Sequence, residues 1–474
     1  MALRSLPICF TAPHLKVLVT SRQRLALLEE WLLPIRGLSS QAGWDDAAGQ
    51  LFVRSAQRVQ PAFSAHGMAE QIATICRLVE GMPLALELAA SWIRVMPCAA
   101  IAHQIAADLD FLTTDLRNLP ERHRSLRALF DQSWRLLSPA EQQVLRRVSV
   151  FRGGWTWDEA LAVSEATVPI LAALADKSLV LADAQGRFTM HELVRQYAAD
   201  QLDAAGEGDR IRRRHFTTYL QLVRKADSYL RGAGAAQWYA RLDAELDNLR
   251  TAWEWALAAD AVVDAAWLGV ALSHYWTVRI HYHEAAFWME QLLPHRQRLP
   301  HDPRLATLLT LYHIWRGRDD FQSIDRYLAE LVQLQEASAN SGLRAVAWRC
   351  MGVATADYDR AVSLWEQCIG LLRAVGSGAD ESTSKAAGYC VYADYPYQLA
   401  FALFRYAIRL TDAGDYGGAE RLSAESLALF RRQQNRDYIV YPLGNLGWLA
   451  LLRGDLGRRV LLQEAVATAR LSAT

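Results

Sequence analysis

Lysine is nearly missing from this chain. Only Lys16, Lys177, Lys225 and Lys385 occur among 474 residues, and arginine supplies the rest of the 51 basic side chains. A phosphate-cradling loop of the G-x-x-x-x-G-K-[ST] type needs a lysine directly after a glycine. The four lysines follow Leu15, Asp176, Arg224 and Ser384, so the chain contains no such loop. Residues 1–15 include neither Asp nor Glu, which leaves no acidic strand end ahead of Lys16 to hold magnesium.

Other features are also lacking. Basic and acidic residues balance at 51 each, so no bulk field draws the chain to nucleic acid or a membrane. No run of roughly 18 apolar residues is present, and no membrane span is expected. The start, MALRSLPICF, leads into a strand pattern without a cleavage site of the secretory kind. Cys9, Cys76, Cys98, Cys350, Cys368 and Cys390 form no C-x-x-C pair and lie mostly in apolar helical pattern. That usage fits a reduced, cytoplasmic chain with buried thiols. Gly-x-Ser-x-Gly and His-Glu-x-x-His do not occur. The HYHE at 281–284 sets its two histidines on different faces of a helix, which suits a surface better than a metal site. No metal and no self-contained enzyme are expected.

What is present is globular: 52% apolar and 22% charged residues, over a length that predicts several domains. KVLVTSR at 16–22 is a short β-branched run ending in a polar tip, and it reads as a buried strand that delivers Arg22 to a ligand. Helical patterns follow at 45–59 and 68–80. Gly81 interrupts, and Pro83 fits the first turn of another helix. From about residue 124 the elements shorten. Ser138, Pro139 and Glu141 spell a helix start with a capping box. Two strand patterns, SLVLAD and GRFTMHE, flank Ala184-Gln185-Gly186. Three helices and this ribbon make a winged-helix pattern. Its candidate recognition helix, VPILAALADKSL, has one lysine and no Arg, Asn or Gln, so direct DNA binding by it is disfavoured.

From residue 211 the pattern is helical and periodic. Tyr282, Phe321, Tyr358, Tyr416 and Leu456 each open a similar helix. The first four are followed at +3, +7 and +10 by small or apolar residues: Ala285, Met289, Leu292; Ile324, Leu328, Leu331; Ala361, Trp365, Cys368; Ala419, Ser423, Ser426. Hairpins of this length cannot bury their apolar stripes alone and stack into a solenoid. The +3/+7/+10 spacing resembles the second helix of tetratricopeptide repeats, with Leu446-Gly447 and Gly454 fitting the first helix and turn of the last unit. Arg459 and Gln463 depart from the pattern there. A helical solenoid of looser periodicity is the other reading. The polar stretch GSGADESTSK at 376–385 reads as a long loop.

KVLVTSR, GMPLALELAA at 81–90 and FTMHELVRQYA at 188–198 occur in that order, with RLDAELDNLRTAWEWAL at 241–257 after them. Together they resemble the sensor strand, Gly-x-Pro motif, Met-His motif and repeat-joining segment of bacterial STAND-class signalling ATPases, the NB-ARC-like switches. The resemblance implies that Arg22 meets the γ-phosphate, that Gly81 and Pro83 approach the adenine, and that His191 touches the β-phosphate of ADP. It also implies a closed ADP form that opens with ATP and self-associates. Simpler readings stand beside these: a surface arginine, helix punctuation, and a packed histidine at a strand-to-helix junction.

The expected architecture is mainly α. It comprises the end of an α/β NTPase domain (1–44), a helical domain (45–123), a winged helix (124–205) and a tetratricopeptide-like α-solenoid (206–474). Family members carry the phosphate loop and acidic strand before the sensor strand. The chain therefore reads as an incomplete switch that binds ADP or ATP weakly and hydrolyses none. Its solenoid would take a protein partner or small inducer, and its parent would control transcription. The alternative is a nucleotide-independent scaffold whose repeats recruit a protein.

Overall fold

The computed structural model describes residues 30–31, 33, 35, 37–40, 45–113, 125–232, 234–376, 394–455 and 459–472. The strand motif at 16–22 with Arg22, the polar stretch 377–385 and the anchor Leu456 lie outside the described residues. The chain forms two compact units, Met1–His215 and Phe216–Thr474. Among the described residues no helix is long and apolar enough to cross a membrane.

The first unit opens with α1 (Ala47–Val59), whose Ala48, Phe52 and Ala56 recur one turn apart and are fully buried. It packs against α3 (Pro83–Ser91), an Ala/Leu helix buried on most sides. Between them lies α2 (Ala69–Leu78), which turns Ile72, Ile75 and Cys76 inward and packs on α4 (Cys98–Ala107). Trp92 closes this group by stacking on Phe111 at 4.8 Å and donating its indole N–H to the Phe111 carbonyl.

The rest of the unit comprises α5 (Leu126–Arg135), α6 (Pro139–Val148), β1 (Trp155–Thr156), α7 (Trp157–Ser164), α8 (Val168–Asp176), β2 (Leu181–Ala182), β3 (Arg187–Thr189) and α9 (Glu192–Ala204). The capping box at Ser138 forms as the sequence predicts. Glu141 N–H donates to Ser138 Oγ, and Ser138 N–H donates to Glu141 Oε2 at 2.7 Å. The strands make one antiparallel sheet in the order β1-β3-β2, with Trp155 opposite Phe188 and Leu181 opposite Thr189. Asp183 accepts from the backbone N–H groups of Gln185 and Arg187, which shapes the β2–β3 turn. Helix α10 (Gly208–Asp227) follows, and its residues from Phe216 onward belong to the second unit.

The second unit continues with α11 (Ala235–Ala244), α12 (Leu246–Ala258) and α13 (Val262–Arg279). Next come α14 (Tyr282–Met289), α15 (His301–Gly317), α16 (Phe321–Ala337), α17 (Ser341–Ala354) and α18 (Tyr358–Gly376). The last described helices are α19 (Tyr395–Asp412), α20 (Tyr416–Arg432), α21 (Arg436–Leu452) and α22 (Arg459–Ser472). Helices α14, α16, α18 and α20 begin at the four aromatic anchors read from the sequence. Their +3, +7 and +10 residues are buried, except Leu328, which is partly buried. Helices α13, α15, α17, α19 and α21 contact one another in succession, so the unit is an α-solenoid with its first helices in one row.

Local chemistry sets the hairpin joints. Asp320, Asn340, Asp394, Asp415 and Asn435 each cap a helix by accepting a backbone N–H three residues on. Ser423 and Ser426 are polar at apolar repeat positions, and both are paired. Asn445 donates to Ser423 Oγ at 2.9 Å, and Ser426 donates to the Ala400 carbonyl at 2.7 Å. A side chain at Gly447 would collide with Leu462, which explains the glycine there.

Candidate functional site

Helix α2 ends in a left-handed turn at Glu80 (φ 46°) and Gly81 (φ 67°). Gly81 N–H returns to the Cys76 carbonyl and Glu80 N–H to that of Arg77, which satisfies the helix's last carbonyl groups. The Gly81 carbonyl accepts from Leu38 N–H at 2.9 Å, and a Cβ on Gly81 would run into the Leu38 carbonyl. The position demands glycine for both its φ and its close backbone contact. Pro83 then opens α3 from its first turn, where no backbone donor is needed.

The Met-His motif lies where β3 hands over to α9. His191 is the N-cap, and its Nδ1 accepts from Leu193 N–H at 3.2 Å. The proton of the neutral ring therefore sits on Nε2. Nε2 is buried near the Val79 carbonyl and 3.8 Å from Glu80 Oε2, and it makes no hydrogen bond of good geometry. Glu80 Oε1 accepts from Glu192 N–H at 2.8 Å, so a carboxylate from the α2–α3 turn caps the positive end of α9. Burial pushes the His191 pKa down, while the Glu80 carboxylate, the Val79 carbonyl and the Glu192 carboxylate resist that shift. Arg195 holds Glu192 at 2.8 Å and Arg152 reaches it at 3.2 Å.

Gly81, Pro83 and His191, chosen from separate motifs, are thus brought to one place by the fold of the first unit. Arg22 lies outside the described residues. Sequence reasoning missed Glu80, Glu192, Arg152 and Arg195. Glu80 directly precedes the Gly-x-Pro motif and Glu192 directly follows the Met-His pair, so the charges flanking the motifs were the available signal.

The second unit holds a separate polar core. The Arg231 guanidinium, 4% exposed, bonds Asp227 at 2.6 Å and Asp394 at 3.1 Å, and lies 5.6 Å over the Tyr397 ring. His274 stacks on Tyr438 and meets Tyr397 edge-on. Burial, and then the Arg231 charge, push its pKa down to about 3. Arg231 and the two carboxylates are enclosed and engaged with one another, while His274 Nε2 is buried without a hydrogen-bond partner; the charge pairing suits anchoring of the solenoid.

No family model matches the chain. A Mycobacterium tuberculosis protein, provisionally named an HTH-type transcriptional regulator, is 33% identical over 294 residues, which is 59% of this chain and 32% of that protein. An uncharacterised protein of the same organism is 30% identical over 238 residues, 47% of this chain and 59% of its own length. Among solved structures, a STAND protein with a tetratricopeptide repeat sensor from Pyrococcus horikoshii is similar with a TM-score of 0.34 and 12% identity. That match covers 88% of this chain and 63% of the other. Over more than half of its residues this chain is therefore similar to a mycobacterial protein named as a transcriptional regulator, and it spans about a third of that relative's length.

Proposed function

We propose that this chain is the regulatory part of a STAND-type switch in which a winged helix and a tetratricopeptide-like solenoid control a transcriptional output. The observation that carries the proposal is the meeting of the Glu80–Gly81–Pro83 turn with His191. Two short motifs on different elements converge there, and a buried imidazole N–H makes no hydrogen bond of good geometry. That donor fits an anionic oxygen such as one of ADP or ATP. When bound, the nucleotide would supply the negative charge that distinguishes two arrangements of the unit. His191 and the Gly81 turn would hold it, with Arg22 as the further contact that the sequence implies.

The winged-helix module acts in this reading as a structural or regulatory element. Lys177, the one cation of the α8 segment, is paired with Glu141 at 2.5 Å, and Val168 at the helix start is exposed and apolar. Such a surface offers little to a phosphate backbone. The solenoid is the sensor, taking an inducer or protein partner.

A specific observation favours the second reading, a nucleotide-independent scaffold. The Glu80 carboxylate already takes the Glu192 amide, so the contact closes without any phosphate. Calorimetric titration of the purified chain and of an Arg22→Ala, His191→Ala double variant with ADP and ATP decides between them. Saturable binding that the double variant loses supports the switch. No binding by the unaltered chain supports the scaffold.

A further inference from the structure

Among the described residues, three arginines on successive first helices of the solenoid have no carboxylate partner. Arg316 is on α15, Arg349 on α17 and Arg405 on α19, and these helices pack in sequence. About half of the unit's other arginines are ion-paired, as in Arg250–Glu284, Arg296–Glu330 and Arg373–Glu425. None of Arg316, Arg349 and Arg405 forms an ion pair among the described residues.

Arg349 is only 6% exposed. Its Nη2 donates to His313 Nε2 at 3.2 Å, its Cζ lies 4.7 Å over the Phe401 ring, and its Nε is buried without a partner. His313 sits one turn before Arg316 on α15, and Phe401 one turn before Arg405 on α19, so the three arginines lie at one level of adjacent helices, with the Arg316 Cζ 5.5 Å over the Phe321 ring. Tyr312 and Cys350 beside the cluster are neutral. Tyr312 donates its hydroxyl to the Cys350 carbonyl at 3.0 Å, and burial pushes the Cys350 thiol up to about 11. The Arg405 pKa is lowered by burial and by the charges of Arg349 and Arg316, and burial with all three arginines holds His313 well below its ordinary range. Burying guanidinium groups beside one another costs free energy unless an anion compensates.

We propose that Arg316, Arg349 and Arg405 form an anion-binding site on the solenoid for a phosphate-bearing small molecule. Guanidinium forks match phosphate oxygens, and a phosphate dianion would neutralise most of the cluster's charge. Beside the cluster, Phe401 lies 6.3 Å from Phe404, which lies 5.6 Å from the half-exposed Tyr441. This aromatic wall gives an apolar or ring-bearing remainder of the ligand a surface to lie on. The inference rests on the reading of the solenoid as a sensor and names the chemistry of what it senses.

The test is calorimetric titration of the full chain with sodium pyrophosphate and with inorganic phosphate, ionic strength being held constant with chloride. Saturable pyrophosphate binding is expected, weakened roughly tenfold or more in Arg349→Met and in Arg405→Met. His191→Ala should keep that binding, which separates this site from the one in the first unit and lets either proposal fail alone. Without ligand, Arg405→Met should melt at the same temperature as the unaltered chain or higher, because self-repulsion is relieved. Arg405→Gln replaces any variant that does not fold. No saturable binding, equal binding by the arginine variants, or tighter binding of citrate or hexaglutamate than of pyrophosphate each overturns the proposal.

Discussion

Glu80 and His191 meet carboxylate to imidazole at 3.8 Å, and the same carboxylate accepts the first backbone N–H of the helix that His191 caps. A negative group at a helix N-terminus is favourable, and that is the place where an anionic ligand would also be drawn. Glu80 therefore competes with phosphate for one small patch of positive potential. Glu80→Gln keeps an acceptor for the Glu192 amide but removes the charge. If nucleotide meets His191, this variant should bind ADP roughly three- to tenfold more tightly, as expected when about 1 kcal/mol of partly screened repulsion is lifted. Its thermal stability should fall by only about 0.3–1 kcal/mol. Calorimetry with ADP checks the first figure and thermal melting the second; unchanged or weaker ADP binding would exclude the competition.

Gly81 and Gly206 give a matched pair of substitutions. Both have positive φ, 67° and 68°, but a Cβ on Gly206 meets nothing within 4 Å, whereas one on Gly81 strikes the Leu38 carbonyl. Gly206→Ala should cost about 1 kcal/mol, the ordinary strain of alanine in left-handed backbone. Gly81→Ala should cost clearly more, on the order of 2–4 kcal/mol, because the 38–81 backbone contact must open as well. Denaturant titration of both variants measures the difference. Equal losses would mean that the Leu38 contact contributes nothing to stability.

Much of the solenoid was legible because its signals are local and repeated. Tyr282, Phe321, Tyr358 and Tyr416 each start a helix, and the buried residues follow at helical spacing. The same holds for the Ser138 cap, which needs only four adjacent residues. The Glu80–His191 contact was not legible, because it joins elements more than a hundred residues apart and depends on how α2, α3, β3 and α9 pack. Nor was the arginine cluster. Arg316, Arg349 and Arg405 lie on the first helices, whereas the periodic anchors mark the second ones, so their shared level follows from hairpin register and not from spacing along the chain.

Arg147 and Glu207 tie α6 to the turn after α9. Arg147 is 5% exposed, bonds Glu207 at 2.8 Å and also holds Glu165 at 2.6 Å. The Arg147 hydrogen bond, helped by Arg146 against the opposing effect of burial, lowers the Glu207 pKa to about 2. A carboxylate with a depressed pKa adds stability that is present above its unfolded value near 4.5 and is lost as pH falls towards 2. Glu207→Gln should therefore lower stability at neutral pH by on the order of 2 kcal/mol and flatten the acid limb below about pH 4.5. Melting curves across that range check both effects. A variant with the slope of the unaltered chain would show that Glu207 titrates normally.

His274 should set part of the stability profile at higher pH. It is 5% exposed, stacked on Tyr438 and close enough to Arg231 that protonation would bury a second cation beside the first. Asp227 and Asp394 beside this core are both engaged by Arg231, and the charges of Arg349, Arg279 and Asp437 also reach its tyrosines. With a folded pKa of about 3 against an ordinary 6.5, the unfolded chain takes the proton first as pH falls. Stability from this residue is therefore complete above 6.5, declines steadily below it, and stops declining only near 3. His274→Phe keeps the ring stack and removes the titration, at a cost of about 1 kcal/mol at neutral pH for the lost hydrogen bond to the Leu230 carbonyl. The variant should melt below the unaltered chain near pH 7 and approach or overtake it near pH 4. His191 and His313 remain in both proteins, so the difference between the two melting curves isolates His274. Parallel curves over that interval would mean that the imidazole reaches water before the solenoid unfolds.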